Sequence, residues 1–160
     1  MKATILNSFR FNLMYAQRLV DDVPDDKWCA QPAGIPNHPA WVIGHLAVTS
    51  DFALKSLGGS PACPEAWGEL FANGTTPVAD AAKYPDKATL LQALEDGHGR
   101  VAAALEGATD AQLTAKLETG PKELFPTVGD LASFIMMGHE ATHLGQLSAW
   151  RRAAGLGSVF

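Results

Sequence analysis

The chain has 160 residues, 47% of them hydrophobic and 18% charged, with 12 Lys and Arg against 17 Asp and Glu and a formal net charge of −5. That size and balance lead us to expect one globular domain over residues 1–160. Net acidity without a Lys/Arg cluster disfavours nucleic-acid binding, and no apolar run reaches the roughly 18 residues of a membrane span.

The first predicted helix covers residues 3–21. Leu6, Leu13 and Val20 repeat at heptad spacing, with Phe9 and Ala16 between them, and Asp21-Asp22-Val23-Pro24 ends it. Asp25 to Trp28 reads as a short helical turn, and Gln31 to Pro36 as loop. Asn37 is the expected N-cap of a second helix, with Pro39 just inside it, running to about Leu57 before Gly58-Gly59. Residues 58–85 are irregular and hold Pro61, Pro64, Pro77 and Pro85. Glu65 to Ala72 is a possible short helix there, and Asn73-Gly74 a turn.

Asp86 caps a third predicted helix from Lys87 to Glu106, with Leu90, Leu91, Leu94, Val101 and Leu105 as its apolar stripe. Asp110 opens a minor helix from Ala111 to Leu117. Residues 118–126 read as loop or a short extended piece. Thr127 caps a fourth long helix, with Asp130 in capping-box spacing, and that helix is expected to continue to Ala154. No strand alternation or repeat is visible. The fold class is therefore all-α, most simply a four-helix bundle with a long crossover connection.

The N-terminal residues Met1 to Arg10 contain no long apolar stretch. We expect no secretory signal and a cytoplasmic protein, and so free thiols at the two cysteines, Cys29 and Cys63.

Three histidines carry the chemistry. His139 and His143 are four apart in His139-Glu140-Ala141-Thr142-His143, which puts both rings on one side of a helix, one turn apart. Such a pair can clamp a divalent metal. His45 lies in the second helix, where Trp41, Val48, Thr49 and Phe52 share its face and point it inward. On the last helix, Ala132, Ile135, Met136, Gln146 and Trp150 lie near the stripe of the histidine pair. Three separate buried imidazoles would each need a partner, and one metal satisfies all three. A three-histidine site with open positions suits catalysis better than structure, because structural zinc sites are closed by four protein ligands.

The same stretch matches the His-Glu-x-x-His pattern of zinc peptidases, where the glutamate is the general base. Residues 144–160 contain no His, Asp, Glu or Cys to serve as a third ligand, and the metzincin position is Ala149. Glu140 also points about 100° from His139 around a regular helix, so it reads as a solvated or interhelix salt-bridging residue. His98, between Gly97 and Gly99, is a lesser candidate for a fourth ligand or supporting donor. His38 reads as a cap or loop residue. Asp51 can orient an imidazole but reads more simply as an exposed helix position.

His38-Pro39-Ala40-Trp41-Val42-Ile43-Gly44-His45-Leu46, Gly138-His139-x-x-x-His143-Leu144-Gly145-Gln146-Leu147 and Trp150-Arg151-Arg152 together resemble the DinB-like (DinB/YfiT-like) superfamily of metalloenzymes. Tyr84-Pro85-Asp86, Leu90-Leu91 and Gly97-His98-Gly99-Arg100 extend the resemblance over nearly the whole chain. The resemblance implies a four-helix bundle with a metal held by His45, His139 and His143. It also implies a frequent homodimer and a small-molecule substrate. Some relatives are transferases or isomerases that use a low-molecular-weight thiol. The metal it implies is zinc, nickel or iron, among which three imidazoles discriminate little. At this level two classes stay open: a metal-dependent enzyme, a thiol S-transferase being the sharpest form, and a non-catalytic metal-binding or stress-response protein. A zinc hydrolase is the weaker third.

Overall fold

In the computed structural model, which describes residues 2–160, helix α1 runs from Lys2 to Val20. It buries Ile5, Leu6, Phe9, Asn12, Ala16, Leu19 and Val20. The core seam therefore passes through Asn12, where the heptad reading places Leu13, which is only half-buried. The C-terminal end of α1 is held by the buried Arg151, whose guanidinium donates to the Leu19 carbonyl at 2.8 Å and to both Asp22 carboxylate oxygens.

Helix α2, Pro39–Ser56, is apolar around most of its circumference and buries thirteen of its residues, as befits a central helix. Its cap is His38, not Asn37. The His38 Nδ1 accepts the Trp41 amide at 3.2 Å while its Nε2 donates to the Val78 carbonyl at 3.0 Å. The Asn37 amide instead donates to Gln146 Oε1, far along the chain. At the other end Gly58 adopts a φ of 87°. That left-handed residue lets the Gly58 and Gly59 amides return to Lys55 and Leu54.

The long connection after α2 carries the short helix α3, Trp67–Phe71, and is stitched back onto α2. Asp51 is buried, not exposed as expected, because its carboxylate accepts the Ala62 and Cys63 amides at 2.8 and 2.6 Å. The Trp41 indole donates to Thr75 Oγ1.

Helix α4, Lys87–Gly107, is capped by Asp86 and buries Leu90, Leu94, Gly97, His98, Val101 and Leu105. Helix α5, Asp110–Thr114, starts one residue earlier than expected. Thr109 is its cap, in a reciprocal capping box with Gln112. It also ends earlier, because Lys116 leaves the helix to form an isolated antiparallel bridge with Thr127. Among the described residues this bridge stands alone and there is no strand, so the chain is all-α.

The last long helix is not continuous. Thr127 caps α6, Val128–Ser133, through the expected capping box with Asp130. A π-helical turn follows at Phe134–His139, and α7 runs from Glu140 to Ala153. Helices α1 and α2 each pack against both α4 and α7.

The core has two apolar clusters. One gathers Ala16, Trp28, Trp41, Phe71, Leu94, Leu144 and Trp150; the other gathers Phe9, Leu54, Val101, Leu131 and Met136. On each long helix, taking α6 through α7 as one, a polar residue falls between its contributions to the two clusters: Asn12 on α1, Ser50 on α2, His98 on α4 and Glu140 at the start of α7, all buried. A polar layer thus crosses the core. No described helix is long and apolar enough to cross a membrane.

Candidate metal centre

His45 reaches the site from the middle of α2 and is fully buried. Its Nδ1–H donates to the Phe71 carbonyl at 2.6 Å, which fixes the tautomer and leaves the Nε2 lone pair free. The approach is close because residue 44 is glycine; a Cβ there would stand 2.3 Å from Phe71 Cε1. The Trp41 indole lies flat on the His45 ring, with centroids 4.6 Å apart and planes 9° apart.

His139 closes the π turn and His143 stands one turn further along α7. The His45 ring centroid is 5.0 Å from that of His139 and 4.5 Å from that of His143, and the latter two are 4.6 Å apart. One ligand atom from each of the three lies within 4.8 Å of the other two. All three histidines singled out in the sequence are therefore brought together.

Two observations test whether the donors fit a metal. His45 Nε2 and His139 Nε2 are 3.1 Å apart. Two nitrogens on one zinc, at about 2.0–2.1 Å and tetrahedral angles, would stand about 3.3 Å apart. Second, the Nδ1 atom of His143 is buried without a hydrogen-bond partner; that of His139 is too, but its Nε2 is the nitrogen facing His45, so an ion between those rings would leave the His139 Nδ1 unpaired. A buried ring nitrogen is costly unless its lone pair meets a proton donor or a metal, or its N–H meets an acceptor.

Burial depresses all three basicities. It holds His45 below its ordinary value, with partial relief from the Phe71 carbonyl. It pushes His139 down to about 4 and His143 to about 3, helped by the neighbouring imidazoles. Neutral imidazoles with free lone pairs are what a divalent ion requires. The residues present fit the group. No fourth His, Cys, Asp or Glu joins the cluster among the described residues.

The other candidates lie elsewhere. His98 is not a ligand: its Nε2 is 2.6 Å from Glu140 Oε1, and its ring stacks on Phe9 with centroids 3.7 Å apart. Glu140 is not solvated; it is 2% exposed and forms the interhelix pair with His98. Burial raises its carboxyl above the usual carboxylate range, and His98 and the nearby Asn12 amide pull it back. Phe52 does not share the buried face of His45; it is 42% exposed and lies beside Gly120. Both cysteines are free, with thiols pushed up by burial to about 11 at Cys29 and about 12 at Cys63, so neither is a ready thiolate.

Three contributors to the site were not legible in the sequence as such: Asn12, the Phe71 carbonyl and the π turn. Asn12 alone left a signal, a polar residue in an apolar stripe between Phe9 and Ala16. A search of curated proteins finds no match to the chain. A sequence model of the DinB superfamily matches residues 8–147, a span that contains His45, His139 and His143, and the chain belongs to that superfamily.

Proposed function

We propose that this protein is a metal-dependent enzyme. His45, His139 and His143 hold one divalent ion, and a small-molecule substrate takes the position that the protein leaves free. The observation that carries this is the count of donors: three imidazoles gather, and no fourth described ligand joins them. Structural zinc sites are closed by four protein ligands, whereas catalytic ones keep three and an open position. When bound, the ion supplies Lewis-acid polarisation, or lowers the pKa of a thiol or water at the open position.

The chain's own residues hold and shield. The Phe71 carbonyl fixes the His45 tautomer. Trp41 covers one face of the His45 ring, and the partly exposed Phe134 stands 6.0 Å from the His139 ring as an apolar wall. In the sharper form of the proposal, a low-molecular-weight thiol and an electrophile are the substrates and the enzyme is an S-transferase. Family membership supports that form; no thiol-binding motif does.

One observation favours a non-catalytic metal-binding role instead. Cavities of about 540 and 640 Å³ lie against α4, beside Asp51 and Arg100 and beside Trp28 and Lys87, and not against the histidines.

Metal analysis of protein purified without added metal, paired with a thiol-transfer screen against electrophiles, separates these readings. Near-stoichiometric metal with metal-dependent transfer supports the enzyme. Bound metal without transfer across the screen moves the assignment to the non-catalytic role. No divalent ion retained even after zinc is supplied overturns both.

A further inference from the structure

The π turn decides where the two C-terminal histidines point. Leading up to it and through its first half, the core-facing residues are Leu131, Ala132, Ile135 and Met136. An uninterrupted α-helix would carry that stripe on through His139, His143, Gln146 and Trp150. After the turn, however, the buried residues are Glu140, Leu144, Leu147, Trp150 and Arg151. The stripe has moved on by about one residue, a rotation of about 100°. That rotation puts Glu140 in the polar layer opposite His98 and leaves His139 and His143 on the flank that meets His45.

A π turn weakens the helix that contains it and persists where surrounding packing holds it. Two buried hydrogen bonds grip this one on either side of His139. Asn12 on α1 donates from Nδ2 to the carbonyl of Met136, inside the turn, at 3.1 Å. His98 on α4 meets Glu140, the first residue beyond the turn, at 2.6 Å.

We propose that Asn12, supported by the His98–Glu140 pair, is a positioning residue for the histidine cluster: its hydrogen bond to Met136 holds the π turn, and the π turn aims His139 and His143 at His45. This rests on the metal reading of the cluster only for its functional consequence, because the ring geometry can be read without metal.

The test is Asn12→Leu, which keeps the branched side-chain skeleton and removes the donor. Two signals are measured: ring-to-ring nuclear Overhauser effects between His45 and His139 in metal-free protein, and the visible spectrum and affinity on titration with cobalt(II). In the variant the ring-to-ring effects are expected to vanish and cobalt to bind at least about tenfold more weakly, the scale of removing a ligand's supporting partner, with helical circular dichroism unchanged. Asn12→Gln, which keeps an amide donor, is expected to recover most of that affinity. If Asn12→Leu does not fold, the smaller Asn12→Ala, which also lacks a donor, is read in the same way. If the ring-to-ring effects vanish in the variant and even the wild type binds no cobalt, the positioning role stands and the metal reading falls. Ring-to-ring effects that persist in the variant, or a variant with wild-type cobalt affinity, overturn the positioning role and leave the metal reading standing.

Discussion

Gly44→Ala puts a single methyl group between α2 and the connection that supports His45. The new Cβ would lie 2.3, 2.5 and 2.6 Å from the Cε1, Cζ and Cδ1 atoms of Phe71. Carbon atoms prefer about 3.5–4.0 Å, so the ring must retreat by more than about 1 Å. Phe71 is fully buried against Trp67 and Tyr84, which leaves it little room. Overpacking of this kind costs about 1–3 kcal/mol. Alanine regains roughly 1 kcal/mol of helix propensity over glycine, so a net loss of up to roughly 2 kcal/mol is expected. The control is Gly99→Ala on α4, where a Cβ meets nothing within 4 Å and only the propensity gain applies. Urea unfolding of metal-free protein measures both. Retreat of Phe71 also draws its carbonyl from His45 Nδ1, so zinc affinity by competition should fall about 10–100-fold, as for loss of a ligand's supporting partner. A Gly44→Ala protein as stable as wild type, with undiminished zinc affinity, would refute the reasoning.

Four further outcomes are expected. Elemental analysis of His143→Ala should find metal well below one ion per chain, and full retention would sink the proposed ligand set. Glu140→Gln should keep its hydrogen bond to His98 and lower any metal-dependent activity by less than about tenfold, below the 10²–10⁴ of a lost general base; a collapse of activity with metal and fold intact would return Glu140 to a catalytic role. Metal-free protein should lose stability as pH falls from 6.5 towards 4. His38 and His139 titrate near 4 and His143 near 3 when folded, so over that range the unfolded chain binds more protons. At pH 5, buried His38 alone contributes a loss of roughly 2 kcal/mol, opposed in sign by Glu140, whose carboxyl is raised on folding; equal denaturant midpoints at pH 7 and pH 5 would contradict this. Family membership leads us to expect a homodimer, and light scattering that returns 16.9 kDa at all micromolar concentrations would refute it.

Local chemistry made much of the architecture legible. Asp86 and Thr127 are caps because a side-chain oxygen beside an apolar run satisfies helix amides within three residues. Gly58 ends α2 because the left-handed turn there suits glycine. The histidines at 45, 139 and 143 stood out because spacing on a helix predicts direction, and the three do meet. What spacing could not supply was the register of the last helix. The π turn runs against local hydrogen-bonding preference and is held by Asn12, 124 residues from Met136, and by His98, 42 residues from Glu140. Those hydrogen bonds exist only once α1, α4 and α7 are packed. The same holds for Asn37, which local rules make a cap but which packing pairs with Gln146, 109 residues away, leaving the cap to His38. Amino-acid pattern thus set which residues form helices and which three imidazoles converge. Only tertiary packing, which alone can compensate a buried polar layer and a displaced helical register, decided the angle at which those imidazoles meet.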